Sequence, residues 1–175
     1  MDKKHLIITS VTLGIIAAAS GALIGVTNLI TKGPIEESKN ERINKGIHEI
    51  FGGESKIKEG SDIQQSQFAG EYQYLTYVYT VADNSDTVLG YAFMASGSNN
   101  FGKISLLAGF TSNAIYKSVY MITDEQTFAS TLEDEYVTYI NQGDYESVDV
   151  HCGATYGATL VKAMIDEAKK AVTGS

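Results

Sequence analysis

The sequence predicts an α+β fold: one N-terminal transmembrane helix, then a single domain with a mostly antiparallel sheet flanked by helices. Three observations lead there. Residues 6–30 carry no charge. Four segments rich in aromatic and β-branched residues follow one another between Tyr72 and Thr123, separated by turns and one short loop. Helical spacing of apolar residues is confined to the stretches before residue 51 and after residue 128. With no βαβ alternation and no internal repeat, strands in the middle and helices at the ends define α+β.

The first element is "LIITSVTLGIIAAASGALIGVTNLI", Leu6 to Ile30. As a helix it reaches roughly 37 Å, enough to cross a ~30 Å hydrocarbon core with some tilt. Lys3 and Lys4 precede it and an acidic stretch follows Lys32, so the N-terminus is expected in the cytoplasm and the body outside. The small residues of "AAASGA" would also suit a cleaved signal peptide, although the apolar run continues well past them. The only cysteine is Cys152, so there is no lipid-attachment signal. Gly21 and Gly25, with Ala17 a turn earlier, either let a second helix approach closely or reflect the ordinary abundance of small residues in membrane spans. Residues 1–32 are read as a single-pass anchor in the cell membrane and 33–175 as an extracytoplasmic domain.

After Gly33-Pro34, Ile43, Ile47, Ile50 and Phe51 predict an amphipathic helix over Ile35–Phe51. "FGGESKIKEGSD" reads as a loop. Tyr72–Val81, Thr87–Ala95, Lys103–Phe110 and Ala114–Thr123 read as strands, with "SGSNNFG" a loop between the second and third. Phe128, Leu132, Tyr136 and Ile140 step by four, which predicts a helix. "SVDVH" is a short strand or extended run. A last helix runs from Gly157 through Leu160, Met164 and Ala168 to Lys169 and Lys170, whose charges suit the negative end of a helix dipole.

Composition removes several classes of function. The net charge is −8, and residues 33–175 hold 10 basic against 20 acidic groups, so nucleic acid is not an expected partner. An acidic exterior stands off anionic lipid or docks on protein. One cysteine allows neither an intrachain disulfide nor a multi-cysteine metal site. His5, His48 and His151 are far apart in sequence, and no metal site is expected. No phosphate-binding P-loop or dinucleotide fingerprint occurs.

One stretch remains: Asp149-Val150-His151-Cys152-Gly153-Ala154-Thr155, joining an extended run to a helix start. Gly153 and Ala154 leave backbone uncovered, and Thr155 places a hydroxyl where helix-end N–H groups point outward. That suits a phosphate. It also suits a threonine N-cap, which is common before helices. Cys152 is either a small filler or a thiol near a ligand. His151 either stabilises an anion or lies half-exposed at the surface.

Asp149, Gly153, Ala154 and Thr155 resemble the D-x-x-[ST]-G-A-T motif of membrane-anchored FMN-binding domains. These occur in the G subunit of the Rnf complex and the C subunit of the sodium-pumping NADH:quinone reductase. The likeness extends to the N-terminal span, to "GYAF" at Gly90–Phe93 and to "GKISLLAGF" at Gly102–Phe110. The length is closer to that of the Rnf subunit. The resemblance implies FMN esterified through its phosphate to Thr155. Asp149, Gly153 and Ala154 would shape the site, with His151 and Cys152 beside it. It also implies a flavin transferase for maturation, other membrane subunits of an Rnf-like complex as partners, and a role as electron carrier rather than an enzyme on its own. Cys152 stands where the family has Ser or Thr, Gly157 where it has a second Thr or Ser, and "EQTFAS", Glu125–Ser130, where it has E-T-P-G-L-G. Two alternatives remain: a stand-alone flavinylated carrier for extracellular electron transfer, and a non-redox pilin-like module. The second needs a basic-Gly cleavage site and an early glutamate, both missing between Lys3 and Ile30.

Overall fold

The computed structural model describes residues 38–58, the backbone of 63–64, and residues 71–174. The expected span at Leu6–Ile30 and the anchor boundary at residue 32 lie outside them. Among the described residues no helix is long and apolar enough to cross a membrane. The chain divides into two compact units, residues 1–41 and 42–175. Of the first, only residues 38–41 are described, and they are helical.

The second unit is built on an antiparallel sheet. The strands are β1 (Lys56–Ile57), β2 (Ile63–Gln64), β3 (Leu75–Ala82), β4 (Val88–Asn99), β5 (Gly102–Thr111) and β6 (Tyr116–Asp124). Strands β3 to β6 form a meander, and β1 and β2 pair with different parts of the outer edge of β3. β5 is central, paired with β4 from Gly90↔Thr111 to Asn99↔Gly102 and with β6 from Ile104↔Asp124 to Phe110↔Tyr116.

Both faces of this sheet are covered. The first helix, α1, is described over residues 38–51. It buries Ile43, Ile47 and Ile50 against Val81, Ala92, Met94, Leu107 and Ile122. Glycine at Gly109 permits this approach: a Cβ there would stand 2.2 Å from Ile50 Cγ2. Arg42 adds a hydrogen bond from Nη1 to the Ile122 carbonyl, 3.0 Å. The opposite face carries a larger core of Leu75, Phe93, Leu106 and Phe110 packed under the C-terminal helices. A sheet buried on both sides has no solvent face, so its central strand reads as one apolar run. That is why "ISLLAGF" is buried from Ile104 to Phe110.

The helical layer on that second face starts with α2 (Ala129–Leu132) and α3 (Thr138–Ile140), joined by a π-helical turn at Glu133–Val137. The long α4 (Thr155–Thr173) follows and ends in Gly174 with φ 68°, a left-handed cap whose N–H meets the Lys170 carbonyl. Between them Tyr145 is buried, and its hydroxyl donates to Asp166 Oδ1 at 3.0 Å. Tyr136 is buried too, its hydroxyl without a partner. Burial raises its phenol to about 12.

The α+β fold and the four long strands match the sequence reading, and four details differ. "SGSNNFG" is not a loop: β4 continues to Asn99, and only Asn100 and Phe101 turn. Gly102 then takes φ 140°. The chain between residues 51 and 62 contains β1, a two-residue strand too short to leave a pattern. "SVDVH" makes no strand, although Val148, Val150 and Cys152 pack on the core while Asp149 and His151 face out. The last helix starts at Thr155, two residues before Gly157.

Candidate functional site

The N-cap of α4 is Ala154, whose side chain cannot cap. Thr155 is the first helical residue, so the N-cap reading of its hydroxyl is corrected. Thr155 Oγ1 instead donates to the Cys152 carbonyl at 2.7 Å. The first intrahelical bond runs from the Ala158 N–H to the Ala154 carbonyl, 3.0 Å. The N–H groups of Thr155, Tyr156 and Gly157 precede it and point out of the helix start. Thr159 lies one turn on and donates back to the Thr155 carbonyl at 2.8 Å.

Packing is tight around both glycines here. A Cβ at Gly153 would stand 2.7 Å from Thr131 Cγ2, and one at Gly157 would stand 3.0 Å from Leu132 Cδ2. The π-helical turn also supplies Glu135, whose Oε2 accepts the Gly153 N–H at 2.7 Å. This charge-assisted bond fixes the chain just before Thr155.

Asp149 turns the other way. Its Oδ1 accepts the His151 N–H at 2.9 Å and meets His151 Nδ1 at 2.6 Å, with both side chains largely exposed. The His151 backbone N–H, and then its ring, hold the Asp149 carboxyl below the usual carboxylate range. Cys152 is a free cysteine packed against the core. Among the described residues, no group of three or more His, Cys, Asp or Glu side chains could hold a metal.

The structure brings Gly153, Ala154 and Thr155 together in the wall of one cleft of about 220 Å³. Asp149, His151 and Cys152 are not part of that wall. Phe101, Phe128, Tyr156 and Gln126 are, and the sequence reading missed all four as site residues. The available signal was a large aromatic inside otherwise polar or small-residue stretches, at "SNNF", "EQTF" and "ATY". Phe101 is 37%, Phe128 49% and Tyr156 69% exposed. Gln126 is 9% exposed, and its Nε2 donates to the Gly102 carbonyl at 2.5 Å and to Asn99 Oδ1 at 3.0 Å.

The residues present fit an FMN phosphoester in three respects. Thr155 lines the cleft, the N–H groups of the first α4 turn point out of the helix beside it, and Phe101, Phe128 and Tyr156 give the same cleft aromatic walls. The volume falls below the ~300–1,000 Å³ that encloses a whole ligand, so part of such a group would remain in solvent. Glu135 already occupies the Gly153 N–H, which leaves the N–H groups of the first helical turn for a phosphate.

Fold and cleft define a class: an antiparallel α+β domain with an open, aromatic-walled cleft at the first turn of its last helix. Residues 1–50 match the family model for the RnfG N-terminal region. Over those 50 of its 175 residues the chain is similar to that family. The matched stretch ends before the sheet, so the Asp149–Thr155 motif lies outside it. No curated protein matches the chain.

Proposed function

We propose that this chain is the FMN-carrying subunit of an Rnf-type complex, held by its N-terminal span with the sheet domain outside the cytoplasm, and that FMN is esterified to Thr155. The observation that carries the reading is the position of Thr155: it lines the aromatic-walled cleft as the first residue of α4, directly after Gly153 and Ala154. The RnfG-like N-terminal stretch supports the same assignment.

The chain's own residues have limited chemical work. During maturation by a flavin transferase, Thr155 Oγ1 gives up its proton, takes the FMN phosphate from FAD, and AMP leaves. The hydroxyl then no longer donates to the Cys152 carbonyl, a loss of about 1 kcal/mol. Outward N–H groups of the first α4 turn receive the phosphodiester charge. Glu135 keeps the preceding loop in place. Bound FMN supplies the electron chemistry, while the protein supplies position and electrostatics. A covalent link keeps the cofactor from escaping into the outside medium.

Intact-mass spectrometry of protein made together with a flavin transferase tests this. The unmodified sequence is expected to carry one FMN less one water, Thr155→Val none, and Thr159→Val the full adduct. An adduct persisting in Thr155→Val, or none on the unmodified sequence, overturns the assignment.

A further inference from the structure

Phe101, Phe128 and Tyr156 come from three separate segments: the β4–β5 turn, the loop before α2, and the first turn of α4. Their rings nevertheless meet. Phe101 lies 5.2 Å from Tyr156, centroid to centroid, at 32°, and 6.3 Å from Phe128 at 54°. Folding has left all three exposed, although aromatic rings are the side chains that gain most from burial.

Hydrogen bonds hold the three segments together. Asn99 Oδ1 accepts the Phe101 N–H at 2.9 Å, and Asn99 Nδ2 donates to the Tyr156 carbonyl at 3.2 Å. Gln126 Nε2 donates to Asn99 Oδ1 and to the Gly102 carbonyl, and the Thr127 N–H donates to the Phe101 carbonyl at 3.1 Å. A Cβ at Gly102 would stand 2.2 Å from the Glu125 carbonyl oxygen, so turn and loop are in direct contact. A wall fixed this way is ready before any ligand arrives, which lowers the ordering cost of binding.

We propose that Phe101, Phe128 and Tyr156 form the packing wall for the isoalloxazine ring of a flavin tethered at Thr155. This deepens the reading above and rests on it. A cleft of about 220 Å³ is too small to enclose a complete nucleotide, so it would hold one part of such a cofactor against this wall. Thr155 belongs to the same cleft, so a phosphate attached there keeps the remainder of its cofactor beside this wall.

The test uses lumiflavin, which has the ring but no phosphate to attach. The full chain in mild detergent, made without a transferase, is expected to quench lumiflavin fluorescence saturably. Phe101→Leu, Phe128→Leu and Tyr156→Leu keep apolar bulk and remove the ring. Each is expected to raise the lumiflavin Kd roughly fivefold, or ~1 kcal/mol, and the triple variant to abolish saturation. On transferase-treated protein, the triple variant is expected to keep its FMN mass while the flavin emission rises. Unchanged emission with the mass retained, or no saturable quenching by the unmodified chain, overturns the wall and leaves Thr155 attachment standing. Saturable quenching that the three substitutions abolish, in a chain that takes up no FMN mass, supports the wall and overturns the attachment.

Discussion

Glu167 offers a direct measure of what holds α4, and therefore Thr155, against the sheet. Its two carboxylate oxygens accept the backbone N–H groups of Gln73 and Tyr74, each at 2.7 Å, just before β3 begins. One side chain thus satisfies two successive edge donors across 94 and 93 residues of sequence. A hydrogen bond to a charged group contributes ~1.5–3 kcal/mol. The pair is partly open to solvent, so the lower end applies and Glu167→Ala should cost about 2–3 kcal/mol. Helix propensity works in the opposite direction, since Ala is the better helix former by a few tenths of a kcal/mol. Any loss therefore comes from the clamp. Glu167→Gln keeps one acceptor and sets an amide N–H₂ against the second donor, so its cost falls between wild type and Ala. Urea unfolding of the full chain in mild detergent, followed by near-ultraviolet tyrosine dichroism, reads this out. With a slope of ~2 kcal/mol per molar urea, the Ala variant's midpoint should fall by about 1 M. An Ala midpoint equal to wild type would refute the clamp. So would a Gln variant less stable than Ala.

Two further predictions concern the sheet. Asp124 Oδ2 is buried without a partner, and burial holds the carboxyl above its usual range. The folded state therefore binds this proton more readily than the unfolded chain. The stability it contributes is complete below the ordinary carboxylate range and is lost as pH rises through the raised value. Asp124→Asn should thus raise the urea midpoint at neutral pH and flatten its change through the mildly acidic range; a lower neutral midpoint contradicts this. At Gly90 a Cβ would stand 2.0 Å from the Phe110 carbonyl oxygen, a backbone atom that cannot rotate aside. Gly90→Ala should cost about 3 kcal/mol, read as a lower melting temperature, and an unchanged value would show that the β4–β5 pair can open there.

The sequence showed the long elements and missed the short ones, for physical reasons. Ile43, Ile47 and Ile50 recur at helical spacing because one face of α1 meets the sheet, so their periodicity is a direct record of packing. "KISLLAGF" read as a strand because burial on both sides selects mostly apolar residues from Ile104 to Phe110. β1 is two residues long and depends on its pairing to β3, which no local pattern can report. The β4–β5 turn was hidden because serine, glycine and asparagine suit loops, yet the ladder with β5 carries them as strand up to Asn99. At the site, the backbone motif Gly153-Ala154-Thr155 was legible. The surrounding wall was not, since Phe101, Phe128 and Tyr156 converge only through tertiary structure.

The π-helical turn at Glu133–Val137 has a consequence for comparing this chain with others. A π turn holds one residue more than the α turn it replaces. Within this turn Tyr136 and Val137 are both buried and Glu135 reaches the Gly153 N–H. Deleting one residue would restore an unbroken α-helix and rotate one flank relative to the other by about 100°, with a shift of about 1.5 Å. The Glu135 carboxylate would then leave the segment that precedes Thr155. A relative with an ordinary helix here should therefore align with its gap inside the helix, not in the loop that follows. Its substitute for Glu135 should be sought one position away.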